Sequence, residues 1–119
     1  MRLLIVEDND AMRGTLRDLL SFIQGEIIEC ADGSDAADAY EHHHPDLVLM
    51  DIRMPIMDGL TAARDILGKH ADARIAIVTE YDDRLYHTES RRIGIEEYFM
   101  KDDLRALRQY VQDVFSQVK

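Results

Sequence analysis

The sequence predicts an α/β protein, a parallel β-sheet covered by helices on both faces. Three observations carry that prediction. Short apolar runs alternate five times with stretches of helical periodicity. The runs Leu3-Leu4-Ile5-Val6 and Leu47-Val48-Leu49-Met50 are apolar at every position, as strands buried on both faces require. At 119 residues, 46% hydrophobic and 32% charged, the chain has the size and composition of one soluble domain, expected to span residues 1–119.

The strands fall at about residues 2–6, 26–30, 46–50, 74–78 and 96–100. Between the first two, Met12, Leu16, Leu19, Leu20 and Ile23 recur at helical spacing and form one apolar stripe. The second helix, about 34–43, is Ala-rich and ends before Pro45, whose ring disfavours helical geometry at His44. The third, about 59–69, buries Leu60, Ala63 and Leu67. The stretch from Asp82 to Ile93 is the weakest helix, with only Leu85 and Ile93 clearly aliphatic, and is either a candidate for movement or partner contact or an ordinary solvated helix. The last helix repeats the stripe in Leu104, Leu107, Val111, Val114, Phe115 and Val118. Gly14 interrupts the first helix, either because another helix approaches closely or as a neutral surface residue.

A formal net charge of −10 argues against direct nucleic-acid binding, which depends on clustered Lys and Arg. The N-terminus turns acidic after four apolar residues, too short a run for a signal-peptide core or a membrane span, so a cytoplasmic address is expected. The single Cys30 reads as a small buried hydrophobe rather than a redox centre. Three consecutive residues, His42, His43 and His44, point in different directions at a helix end and lack ligand spacing.

In an open parallel sheet, ligands bind beyond the carboxyl ends of the strands. Glu7, Asp8, Asp51, Thr79 and Lys101 all fall at or just past such ends. Clustered carboxylates repel one another unless a cation offsets them or a pKa rises, and an all-oxygen acidic pocket favours Mg²⁺. With that cation bridging Asp51 and an incoming phosphoryl oxygen, the carboxylate can serve as a nucleophile and form an acyl phosphate. Lys101 supplies a charge for the carboxylate and then for the phosphoryl oxygens, and Thr79 a hydroxyl that can rotate toward them.

The Glu7-Asp8 pair, Pro45-Asp46 before Leu47-Val48-Leu49-Met50-Asp51, the Met54-Pro55 and Asp58-Gly59 turn, Thr79 and Lys101 together resemble the response-regulator receiver domain. The resemblance covers essentially the whole chain. It implies a flavodoxin-like doubly wound sheet of five strands in the order 2-1-3-4-5, with five helices. It implies a signalling switch rather than an enzyme, phosphorylated on Asp51 by a histidine kinase or phosphotransfer protein. Carried over by motif, Asp8, Asp51 and the carbonyl of Arg53 would ligate Mg²⁺, with Glu7 acting largely through water. Thr79 would be the switch hydroxyl, Lys101 the phosphate-pairing cation and Tyr98 the aromatic that reorients with Thr79. The output face would be the fourth helix, fifth strand and fifth helix. Dimerisation, through that face or through the first and fifth helices, stays open, as does whether the chain is a stand-alone receiver or part of a longer regulator. The run from Gly94 to Asp102 looks like receivers that carry a LuxR-type helix-turn-helix output domain for transcription regulation, and no such output domain is present in these residues.

Two positions depart from the pattern. Many receivers follow the lysine with a cis proline, whereas Asp102 follows Lys101, so a trans bond or a rearranged loop is expected. Glu80 stands where receivers usually carry a small residue, and either crowds the phosphoryl group or turns to solvent. Together they support an alternative, an interaction module indifferent to phosphorylation. A phosphatase of the haloacid-dehalogenase type is disfavoured, since Arg53 occupies the place of its second acid. A flavin carrier is disfavoured because the first loop, Glu-Asp-Asn-Asp, would repel a phosphate.

Overall fold

A computed structural model describes residues 1–95 and 97–117. Five strands, β1 (Arg2–Val6), β2 (Glu26–Cys30), β3 (Leu47–Met50), β4 (Ile75–Thr79) and β5 (Glu97–Met100), form one sheet in the order β2-β1-β3-β4-β5, every neighbouring pair parallel. The connecting helices are α1 (Asp10–Leu19), α2 (Ala36–His43), α3 (Gly59–Lys69), α4 (Arg84–Arg92) and α5 (Leu104–Gln117). The expected class, strand order and helix number are those observed.

Side chains of a strand point alternately to its two faces, and here each face has its own core. Leu4, Val6, Val48, Met50 and Ile77 pack with Ala36 and Tyr40 of α2 and with Ala62, Ala63 and Ile66 of α3. Leu3, Ile5, Leu47, Leu49, Ala76 and Val78 pack with Leu16 of α1 and with Leu107, Val111, Val114 and Phe115 of α5. The all-apolar runs of β1 and β3 are therefore sandwiched, and their carboxyl ends open at one edge of both cores.

Local chemistry sets the element ends. The side chain of Asn9 caps α1 by accepting from Met12 N at 2.8 Å, and Asp58 caps α3 by accepting from Thr61 N at 2.9 Å. The second helix starts later than its composition suggests, because Asp32 accepts from the N–H groups of Ser34 and Asp35 and holds Gly33–Asp35 as a 3₁₀ turn. His44 ends α2 in the left-handed conformation, φ 46°, just before Pro45. β3 and β4 each begin one residue later than expected. The expected fifth strand includes Glu96 and the last apolar stripe includes Val118, both outside the described residues.

The helix from Asp82 to Ile93 packs differently from its expected stripe. Of the two expected aliphatics, Ile93 packs on the core and Leu85 is 79% exposed; the packed side is completed by Tyr86 and the buried Ser90, spaced four and three residues from one another and from Ile93. Leu67 is only partly buried, and Gly14 has open space around it, which identifies it as a neutral surface glycine. Among the described residues, no helix is long and apolar enough to cross a membrane.

Candidate functional site

The register of the central strands builds the site. Val6 pairs with Met50, and Asp51 N donates to Val6 O at 3.0 Å, so the residues following β1 and β3 emerge side by side. Thr79 pairs with Met100, and Lys101 N donates to Thr79 O at 2.8 Å, which brings Lys101 over the same edge. The result is a group in which Glu7, Asp8 and Asp51 each offer a carboxylate oxygen within 4.8 Å of the others. It opens into a cavity of about 530 Å³, whose lining includes Arg53, Glu80, Tyr81 and Lys101.

Glu7 is 2% exposed, Asp51 5% and Thr79 fully buried, whereas Asp8 is exposed. The ammonium of Lys101 lies 2.7 Å from Glu7 Oε1 and 3.1 Å from Asp51 Oδ2. Asp51 Oδ1 accepts from Ile52 N at 2.8 Å, and Glu7 Oε2 from Asn9 N at 3.1 Å. Glu7 Oε1 faces Lys101 in ion-pair range but has no well-aligned hydrogen-bond donor among the described residues. Burial dominates the titration of Glu7 and pushes its pKa from the ordinary 4.5 up to about 7; Lys101 and the Asn9 N–H pull it down, while Asp51 adds to the rise. Burial also opposes the charge of Lys101, but the carboxylates of Glu7 and Asp51 outweigh it and hold its pKa above the usual range. A strained set of oxygen donors of this kind, short of positive charge, suits a hard divalent cation.

Three features support the acids from behind. Arg13 donates to the carbonyl of Glu7 at 2.9 Å while pairing with Asp10 at 2.6 Å and Glu29 at 3.1 Å, which fixes the β1–α1 loop. Arg17 pairs with Glu29 as well. Gly59 begins α3 directly against Asp51, where a Cβ would lie 1.7 Å from the Asp51 carbonyl oxygen, so only glycine fits.

The remaining expected residues stand on the β4–α4 side. Thr79 Oγ1 accepts from Tyr81 N at 3.3 Å. Tyr98 is partly buried; its hydroxyl donates to Tyr81 O and its ring stacks on His87 with centroids 3.7 Å apart. Burial first, then the nearby Asp82 and Asp83, push the Tyr98 phenol up to about 12. No cis peptide bond occurs among the described residues, so Lys101-Asp102 is trans. Glu80 is exposed at the cavity rim.

Sequence reasoning missed the side chain of Arg53. Its guanidinium lies 3.8 Å from the Tyr81 ring centroid, donates to Tyr86 Oη at 2.8 Å and sits 3.7 Å from Asp83. It also missed the His87 stack and the anchoring by Arg13, although Asp10 and Arg13 at helical spacing were a usable signal. His42 and His43 contact each other edge to face while His44 turns toward Tyr40 and His70, so the three do not converge on a point. Cys30 is half-buried, and burial with Asp35 and Asp32 pushes its thiol up to about 11, away from nucleophilic use.

The sequence profile of the response regulator receiver domain matches residues 3–112. The chemotaxis protein CheY of Bacillus subtilis is 36% identical over 101 residues, which cover 84% of this chain and 84% of that protein. The transcriptional regulatory protein DegU of Brevibacillus brevis is 30% identical over 118 residues, covering 96% of this chain and 50% of DegU. The chain thus spans nearly all of one relative and half of the other. Among solved structures, a two-component response regulator of the LuxR family from an Aurantimonas species superposes with a TM-score of 0.87 at 28% identity, covering 97% of this chain and 84% of that one.

Proposed function

This chain belongs to the response regulator receiver domain family, and from that premise we propose that Asp51 is its phosphoacceptor, loaded by a histidine kinase or phosphotransfer protein of a two-component pathway. Receiver domains are signalling rather than catalytic domains, and residues 1–119 would form one such switch in the cytoplasm. The observation that carries the proposal is the Lys101 ammonium shared between Glu7 and Asp51 at 2.7 and 3.1 Å, two members of a three-carboxylate group completed by Asp8.

In the transfer, a carboxylate oxygen of Asp51 attacks the phosphorus of a phosphohistidine. The new P–O bond forms as the P–N bond breaks, and the electron pair leaves with the imidazole nitrogen, which takes up a proton. Asp51 is held for this role on the rigid end of β3, with one oxygen fixed by Ile52 N and the other by Lys101. The donor set fits Mg²⁺, held by Asp8, Asp51 and the carbonyl of Arg53 with Glu7 behind them, and the ion would neutralise charge on the phosphoryl oxygens. Lys101 then pairs with a phosphoryl oxygen. Thr79 exchanges the N–H of Tyr81 for another, and Tyr98, bonded to the same residue, carries the change to the surface of α4, β5 and α5.

The alternative of an interaction module indifferent to phosphorylation is less well supported. Glu80 lies at the rim, not between Asp51 and Lys101, and the trans Lys101-Asp102 bond still leaves the ammonium on Asp51. Incubation with Mg²⁺ and a small phosphodonor is expected to add one phosphoryl group per chain, read by intact mass, and both chelation and Asp51→Ala should abolish it. Wild-type protein that takes no label from any donor would turn the assignment to the interaction module.

A further inference from the structure

Arg53 lines the phosphoacceptor cavity and also a second cavity of about 300 Å³ between α3 and α4, so its side chain forms the wall between the two. It leaves the loop two residues after Asp51 yet makes contacts on the next βα unit: the Tyr81 ring, the Tyr86 hydroxyl and the Asp83 carboxylate. Those residues flank the first turn of α4. Asp83 is the N-cap of α4 but makes no side-chain capping bond, its carboxylate facing Arg53 instead. α4 is otherwise held at its first turn by Tyr86 against the core and by His87, whose ring stacks on Tyr98 and which pairs with Asp82 at 2.6 Å, while Leu85 is exposed. Its later turns are tied separately, through Arg64 to Glu89 at 2.7 Å.

We propose that the Arg53 side chain is a latch, holding the first turn of α4 while Asp51 is unmodified and releasing it when a phosphoryl group competes for the guanidinium. The proposal rests on the phosphoacceptor role of Asp51. Besides Lys101, Arg53 is the cation that lines the Asp51 cavity among the described residues, and a guanidinium matches phosphoryl oxygens in a bidentate way that a tyrosine hydroxyl and a carboxylate 3.7 Å away do not. Phosphorylation adds negative charge on the near side of the wall, drawing the guanidinium off Tyr86 and Asp83. The helix end then loses one of its ties, the His87 contacts remaining, while the Arg64–Glu89 pair keeps the later turns in place.

Hydrogen exchange tests this through the amides of Tyr86 and His87, which bond to Asp83 O at 3.1 and 3.2 Å and so report on that turn. Free Arg53→Met protein is expected to exchange these amides about fivefold faster than wild type, the loss of one cation–π contact and one hydrogen bond, each at the low end of its range because the Arg53 side chain is half exposed. Tyr86→Phe, which removes the acceptor hydroxyl alone, should give about half that effect on a logarithmic scale. Mg²⁺ with beryllofluoride should bring wild type to the rate of free Arg53→Met, should add little to Arg53→Met and should add about half the wild-type increment, on a logarithmic scale, to Tyr86→Phe, with ¹⁹F resonances reporting occupancy. Wild-type rates in free Arg53→Met overturn the latch, as does an undiminished beryllofluoride increment in Tyr86→Phe. Phosphodonor labelling of the same samples separates the two levels: labelled wild type with an unchanged first turn refutes the latch alone, and unlabelled wild type refutes the phosphoacceptor role and with it the release.

Discussion

Replacing Glu7 by Gln tests the electrostatics of the acidic pocket without disturbing its shape. Glu7 is 2% exposed and its pKa stands at about 7 against an ordinary 4.5, so the folded protein holds a proton there that the unfolded chain has released. A raised acid contributes stability that is fully present below the unfolded pKa and is lost as pH rises through the folded one. That rise corresponds to about 3 kcal/mol in full, most of which falls between roughly pH 5 and pH 8. In the variant, Gln keeps an oxygen for the Asn9 N–H, and any offset from placing an amide beside Lys101 is independent of pH. The difference between the two proteins therefore isolates the carboxyl group. Urea unfolding in a chelating buffer should show Glu7→Gln gaining about 2–3 kcal/mol on wild type from about pH 5 to pH 8. Saturating Mg²⁺, which favours the ionised carboxylate, should flatten that gain. A difference that stays constant with pH in the chelator would refute the idea that burial governs Glu7.

Other substitutions probe separate parts of the fold and site. Lys101→Met leaves two buried carboxylates without their cation, so it should lose about 3 kcal/mol near pH 8 and much less near pH 5, where Glu7 is protonated; equal losses at both would contradict the pairing. Gly14→Ala should stabilise α1 by about 0.5–1 kcal/mol in urea, because a Cβ there meets nothing within 4 Å, and a loss would mean that the helix face is crowded. Ile56 is a β-branched residue at φ 72° with 84% of its surface exposed, so Ile56→Asn should raise the thermal midpoint, with a gain of about 1 kcal/mol. A fall would show that the isoleucine side chain is packed.

The sheet was legible because β1 and β3 are apolar at every position, and nothing in their neighbourhood competes for the strand conformation. The starts of β3 and β4 were not, since Asp46 and Arg74 take part in bonds across the sheet edge, Asp46 Oδ2 to Arg2 N and Arg74 O to Val48 N, without joining the strands. α3 was placed to the residue by the Asp58-Gly59 pair, where capping and the close approach to Asp51 demand those two types in that order. α4 was legible as a weak helix, but its packed side was only half visible, because Ile93 packs as an aliphatic count suggests while Leu85 is exposed and the rest of that side uses the ring of Tyr86 and the small Ser90, which look polar in a sequence. In the site, Glu7, Asp8, Asp51 and Lys101, read from the strand ends, line one cavity, while Thr79 ends the neighbouring strand with its hydroxyl on Tyr81 N. The Arg53 clamp left no trace in the sequence, because its hydroxyl partner lies 33 residues away and an arginine after the acid reads simply as a solvated charge.

The chemical identity of the modified group is the most direct test of the switch. After incubation with Mg²⁺ and a small phosphodonor, borohydride should reduce an acyl phosphate to the corresponding alcohol, and peptide mass spectrometry should find position 51 converted from aspartate to homoserine. Conversion at Asp51 in wild type, absent when Mg²⁺ is chelated, is the expected result. Label that survives borohydride unchanged, or conversion at Glu7 or Asp8 with Asp51 intact, would contradict it.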